Sequence, residues 1–238
     1  MDSGRERRGI NRAVEGEENC MIDIEASIAE LREIWGQGAG IHKRSDDLAR
    51  YDILFERIKP GVVVELGLYY GGSALHFAPR VPWIINVELN HQTTEDYRNN
   101  VHGLGFPPDN GIIIEGHSHE MYEEVAARAR ELAGDKPIMV ICDSDHGTDC
   151  VYGELIRYCD LVTSGSYMVC EDTLLHYLPQ NPQGGFEGRD TPHNWFIGNP
   201  KLALDRFLSE QGGKWVVDQE IEDLFPRSQH PGGWLRKL

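Results

Sequence analysis

A chain of 238 residues with 39 acidic and 23 basic side chains carries a formal net charge of −16, with 40% apolar and 9% aromatic residues. A polyanion of that size repels phosphate backbones and anionic lipid, which sets nucleic acid and membranes aside as partners and favours cationic or neutral small ligands. The length suits one α/β domain with additions rather than two domains.

Residues 1–21 mix arginines and glutamates with almost no large apolar groups, and read as a frayed tail that cannot offset the entropy of ordering. They contain no hydrophobic signal core, and no later stretch reaches the roughly 18 apolar residues of a membrane span, so the protein is expected in the cytoplasm. Residues 22–60 hold two helices ahead of the core. The first spaces Ile24, Ile28, Leu31, Ile34 and Trp35 helically; the second opens at Ser45 and runs through Leu48, Tyr51, Leu54, Phe55 and Ile58 to Pro60. They serve either to close one side of a cleft or to join copies into a homo-oligomer.

From 61 to 238 the pattern alternates. Apolar runs at 62–66, 83–87, 112–115, 138–142 and 167–170 are separated by helices from 72, over 92–103, 118–133 and 147–158. Strands that lose their polar alternation are buried on both faces, so the expected fold is a doubly wound, mostly parallel, Rossmann-like α/β sheet. A loop rich in Gly, Pro and Asn follows at 173–198, long enough to act as a binding loop. A helix over 200–210 and strands over 214–218 and 232–237 finish the chain. The five cysteines are odd in number and form no C-x-x-C pair, which suggests reduced thiols rather than disulfides or structural zinc.

In such sheets ligands settle beyond the carboxyl ends of the strands. The first strand ends in Glu65-Leu-Gly-Leu-Tyr-Tyr-Gly-Gly-Ser73, where Gly67 and its neighbours permit a tight turn while Glu65 argues against a pyrophosphate. Neither G-x-G-x-x-G nor a P-loop is present. The second strand ends at Glu88, placed to hydrogen-bond a ribose diol, and the third at Gly116 and Ser118, a turn suited to adenine. An adenosine with a positive centre and no phosphate fits all three, as S-adenosylmethionine does.

The fourth strand delivers Asp143-Ser144-Asp145-His146 and the fifth Glu171-Asp172. Two unit charges 4 Å apart repel by on the order of 4 kcal/mol at an effective dielectric of 20, so these acids need a cation, shifted pKa values or solvent. All-oxygen donors favour Mg²⁺. The simpler alternative is that Asp145 or Asp172 caps the following helix. Cys142 and Cys170, one residue before the acids, are expected to point into the core. Histidine titrates nearest neutrality, and His146, three residues after Asp143, is placed as general base, with Asp145 as substitute.

Taken together, Tyr70-Gly-Gly-Ser-Ala74, Cys142-Asp-Ser-Asp-His146, Val169-Cys-Glu-Asp172 and Pro231-Gly-Gly-Trp-Leu-Arg236 resemble the metal-dependent class I O-methyltransferases of the cephalosporin hydroxylase-type and rhamnosyl O-methyltransferase family, from about residue 40 onward. The resemblance implies a methyltransferase domain over 61–238 whose donor site draws on Glu65, Gly67, Tyr70, Ser73, Glu88, Gly116, Ser118 and Asp143. It also implies Mg²⁺ held by Asp143, Glu171 and Asp172, catalysis by His146 with Asp143, and a small hydroxyl-bearing acceptor, a glycoside or other natural product. Catechol-type members carry a lysine where His146 stands. The aromatics of the loop at 173–198, Tyr177, Phe186, Trp195 and Phe196 among them, offer flat faces on which a sugar or a ring stacks. A hydroxylase-type activity finds no 2-His-1-carboxylate set here, and a non-catalytic cofactor-binding role would not need the intact acids.

Overall fold

The computed structural model describes residues 22–23, 26–27, 42–69, 71–89, 110–177 and 199–238. The first expected helix beyond Ala26–Ser27, the helix over 92–103, Tyr70, Cys20 and the acceptor loop from 178 to 198 lie outside the described residues. Five parallel strands, β1 (Val62–Leu66), β2 (Trp83–Glu88), β3 (Gly111–Glu115), β4 (Ile138–Cys142) and β5 (Tyr167–Cys170), are joined at one edge by β6 (Trp215–Val217) and β7 (Trp234–Lys237) in the order β3-β2-β1-β4-β5-β7-β6. β7 runs antiparallel to both of its neighbours. The strand order reverses between β1 and β4, the switch point where such sheets open a crevice.

β1, β4 and β5 are buried along their whole lengths, which is why their sequences are continuous apolar runs. Alternation sends Val62, Val64 and Leu66 to one face, against α3 (Tyr122–Ala133), α4 (Thr148–Tyr158) and α5 (Pro200–Gln211). Val63 faces the other way, towards α1 (Ser45–Ile58) and α2 (Gly72–Phe77), where Tyr51 packs with Phe77 and Trp234 at ring-centroid distances of 4.9 Å each. Cys142 and Cys170 are buried in the first of these cores, as their register requires. Among the described residues the four cysteines are free and no helix is long and apolar enough to cross a membrane.

Helix α5 starts where Asn199-Pro200 directs it: the Asn199 side chain accepts the Leu202 N–H and proline occupies the first turn. Helix α3 begins at Tyr122, later than its pattern suggests: the N–H groups of Glu120 and Met121 close a turn on the His117 carbonyl, and the Ser118 hydroxyl donates to Glu154. A 3₁₀ turn (Thr173–Tyr177) and a short helix α6 (Gln219–Glu222) add to the expected elements. Arg50, fully buried on α1, fastens the segment ahead of β7: its guanidinium donates to the carbonyls of Ile221, Glu222, Phe225 and Arg227 and to Asp47. That segment carries His230 to the end of β5.

Candidate active site

The turns after β1, β2, β3 and β4 enclose a cleft of about 360 Å³ lined by Gly67, Tyr69, Glu88, Gly116, Ser118 and Asp143, together with Ser144, Asp145 and Cys150. That volume is within the range of small-ligand sites. Gly67 is required at the switch point: its φ is +97°, and a Cβ there would lie 1.9 Å from the carbonyl oxygen of Asp143. The Glu88 carboxylate accepts the backbone N–H groups of Leu68 and Tyr69 at 3.0 and 3.1 Å, fixing the turn after β1 against the end of β2. Of the expected donor residues, Gly67, Glu88, Gly116, Ser118 and Asp143 line the cleft, whereas Glu65 and Ser73 are not among its lining.

Glu65 is fully buried beneath the turn, paired in register with Asn86, whose amide donates to it at 2.6 Å. Burial pushes its pKa up to about 7, with Lys43 drawing it down, Asp143 raising it and the Ser73 hydroxyl favouring the ionised form. Lys43, which no sequence motif singles out, lies among these acids. Its ammonium reaches Asp143 at 2.7 Å, Glu171 at 2.5 Å and Glu65 at 3.6 Å. Burial alone would favour neutral Lys43, yet the three carboxylates hold its pKa well above the usual lysine range.

Asp143 is the centre of the acid cluster. Burial and then the charge of Glu171 push its pKa up to about 6 against the pull of Lys43. Ligand atoms of Asp143, His146 and Asp172 all lie within 4.8 Å of one another. The His146 Nε2 is 3.2 Å from Asp172, whose own pKa is raised by burial against the pull of His146. Glu171 adjoins Asp143 but faces the α1 side, where it takes the Tyr51 hydroxyl at 2.5 Å as well as Lys43. Asp145 accepts the Gly147 N–H at 2.6 Å in the turn that leads into α4; the N-cap of that helix is Gly147 and has no side-chain cap, so Asp145 does not cap it. Asp172 does not cap a helix; it sits at φ +55°, and its N–H donates to Nδ1 of His230 at 2.9 Å. Such strained backbone persists only where its surroundings enforce it. Burial lowers the His230 pKa to about 4, leaving a neutral ring suited to accept that bond.

Two oxygen donors and an imidazole within 4.8 Å of one another, with a third acid at hand, fit a divalent cation. Lys43 meets part of that need within the chain itself. Replacing it with methionine should lower the unfolding free energy by about 3–5 kcal/mol, as removing one partner of a buried ion pair does. The loss should be larger near about pH 8 than about pH 5.5: acids whose pKa is raised in the fold, as in Glu65 and Asp143, contribute stability at low pH and lose it as pH rises through the folded value. Urea unfolding at both pH values measures this, and a variant as stable as the parent at both would show Lys43 to be dispensable.

The family model described as "Rhamnosyl O-methyltransferase/CmcI" matches residues 33–238. The chain belongs to this family. It is therefore an enzyme of an O-methyltransferase family, with the α/β sheet that its patterning predicts. Among its relatives in the rhamnosyl O-methyltransferase/CmcI family, the rhamnosyl O-methyltransferase of Mycobacterium leprae (strain TN) is 29% identical over 201 residues, covering 81% of this chain and 78% of that protein. The rhamnosyl O-methyltransferase of Mycobacterium tuberculosis (strain ATCC 25618 / H37Rv) is 25% identical over 206 residues, covering 83% and 76%. Among solved structures, CmcI-N160 in its apo form aligns with a TM-score of 0.57 at 19% identity over 83% of this chain and 73% of its own. The SAH-bound methyltransferase PaMTH1 of Podospora anserina aligns with a TM-score of 0.57 at 18% identity over 90% and 88%. A CmcI-D160 structure described as Mg-SAM aligns at 0.51 and 17% identity, over 83% and 73%. At these identities the structural likeness speaks for the fold.

Proposed function

We propose that the protein transfers the methyl group of S-adenosylmethionine, with Mg²⁺, to a hydroxyl of a sugar, rhamnosyl-like, or of another small natural product. The observation that carries this reading is the meeting of Asp143 with His146 and Asp172, Asp143 itself lining the cleft built from four strand-end turns. The named activity of the mycobacterial relatives supports a sugar hydroxyl as acceptor, and the Mg-SAM form of CmcI supports the two cofactors.

In this reading Glu88, Gly116 and Ser118 seat the nucleoside of the donor, and Gly67 lets the backbone approach it. Glu65 and Ser73 hold the turn from below. Asp143 and Asp172 would hold the ion, with Glu171, which here accepts from Lys43 and Tyr51, as the third acid. When bound, the ion supplies Lewis acidity towards the acceptor hydroxyl. His146 takes the hydroxyl proton onto Nε2, the nitrogen that faces Asp172, and Asp172 stabilises the resulting imidazolium. His230 holds the Asp172 backbone in place for that task. Aromatic residues of the loop at 173–198 supply the stacking surface for the acceptor.

A labelled-methyl assay against rhamnosides, other glycosides and simple phenols, with and without a chelator, tests the proposal. Transfer to a glycoside that stops on chelation and returns with added Mg²⁺ is the expected result. Transfer indifferent to chelator, or none to any hydroxyl acceptor, contradicts it.

A further inference from the structure

Glu154 on α4 has a side chain wholly removed from solvent. Its Oε1 accepts two hydroxyl protons, from Ser118 and from Ser144, each at 2.5 Å, and its Oε2 has no hydrogen-bond partner among the described residues. One turn along the helix, Tyr158 donates to the carbonyl of Ser118 at 2.7 Å. Helix α4 thus grips both walls of the cleft, Ser118 in the turn after β3 and Ser144 in the turn after β4, and both serines line it.

A carboxylate only accepts hydrogen bonds, and a hydroxyl owns a single proton. With that proton committed to Glu154, Ser118 and Ser144 can offer the cleft nothing but lone pairs. Whatever meets them must be a hydrogen-bond donor. Burying the carboxylate is expensive: burial pushes Glu154 up to about 7, with the two serine hydroxyls drawing it back. A group that merely filled space there would have no need of a charge.

We infer that Glu154 is a specificity-determining positioning residue: by taking the protons of Ser118 and Ser144 it makes the cleft accept the 6-amino group of adenine and reject a 6-oxo purine. This rests on the donor site proposed above and adds to it a residue that touches neither donor nor acceptor. A 6-oxo purine presents an oxygen where the amino group stands, its own donor displaced one ring position to N1, so lone pairs face lone pairs. Sites built to hydrogen-bond a ligand group discriminate strongly against the analogue that leaves them unpaired. A glutamine at 154 can donate its amide hydrogens to the serine oxygens, freeing their protons to turn towards the cleft.

The test titrates the folded full-length protein and Glu154→Gln with S-adenosylhomocysteine and with S-inosylhomocysteine at about pH 8, above the value of about 7 to which burial pushes the carboxyl. The parent should prefer the 6-amino nucleoside roughly 10–100-fold, and the variant by less than about threefold. A merely structural role would weaken both ligands alike and leave the ratio intact. Should Glu154→Gln fail to fold, Ser118→Ala, which removes one of the reading hydroxyls, should lower the same ratio. Parent protein that binds both nucleosides equally, or a variant that keeps the parental ratio, overturns the inference and spares the donor proposal. Parent protein that binds neither overturns both.

Discussion

Asp143→Ala should lose methyl transfer by at least roughly a thousandfold while still binding S-adenosylhomocysteine. About 4 kcal/mol of transition-state stabilisation corresponds to that factor, and Lewis acidity supplies several kcal/mol in favourable sites. Asp143 joins the two halves of the cluster: it meets Lys43, adjoins Glu171 and lies with His146 and Asp172 within 4.8 Å. Its removal disperses the ligand set. The cleft wall made by Glu88, Gly116 and Ser118 is left standing, so donor affinity should fall far less than turnover. Calorimetry with S-adenosylhomocysteine and a labelled-methyl assay on the same preparation separate the two quantities. Asp143→Asn keeps the shape and should show the same split; a variant of either kind with parental turnover would remove Asp143 from the chemistry.

His146→Ala should reduce kcat roughly a hundredfold or more, the ordinary worth of a positioned general base. Donor affinity should change little, because His146 is not among the residues lining the cleft. The geometry allows a second role, since its Nε2 lies 3.2 Å from Asp172 and within ligand distance of the same cluster. A base leaves Mg²⁺ affinity unchanged when removed, and its loss is partly restored by added imidazole. A ligand lowers Mg²⁺ affinity and is not replaced in that way. Unchanged kcat in His146→Ala would give the proton to another group.

The strands were legible because burial on both faces writes a continuous apolar run, and all five parallel strands follow those runs to within a residue or two. Strand ends then located the cleft, so that Gly67, Glu88, Gly116 and Ser118 could be named from position, while Asp143 joined the donor site through the family resemblance. What stayed hidden acts across the fold. Lys43 meets partners 100 and 128 residues away, and nothing in the local pattern ahead of α1 distinguishes it from a surface lysine. Tyr51 reads as one more apolar position on α1, yet its hydroxyl reaches Glu171. His230 stands beside the Pro231-Gly-Gly-Trp motif, but its bond to Asp172 depends on Arg50 pinning the preceding segment. Glu154 belongs to the buried side of α4, where an acid at the spacing of Val151, Leu155 and Tyr158 was the one available signal that the apolar face is interrupted for a purpose. The short helix α6 and the 3₁₀ turn after β5 lack the length for a periodic pattern to show.

If acids from the ends of β4 and β5 close on a divalent ion beside the donor, a crystal structure of the chain grown with S-adenosylhomocysteine and Mg²⁺ will show it. An ion about 2.1 Å from oxygens of Asp143, Glu171 and Asp172, with Lys43 withdrawn from Glu171 and His146 facing the acceptor side, is the expected result. A nucleoside in the cleft with no ion at these acids, and the Lys43 ammonium still seated between Asp143 and Glu171, would contradict it.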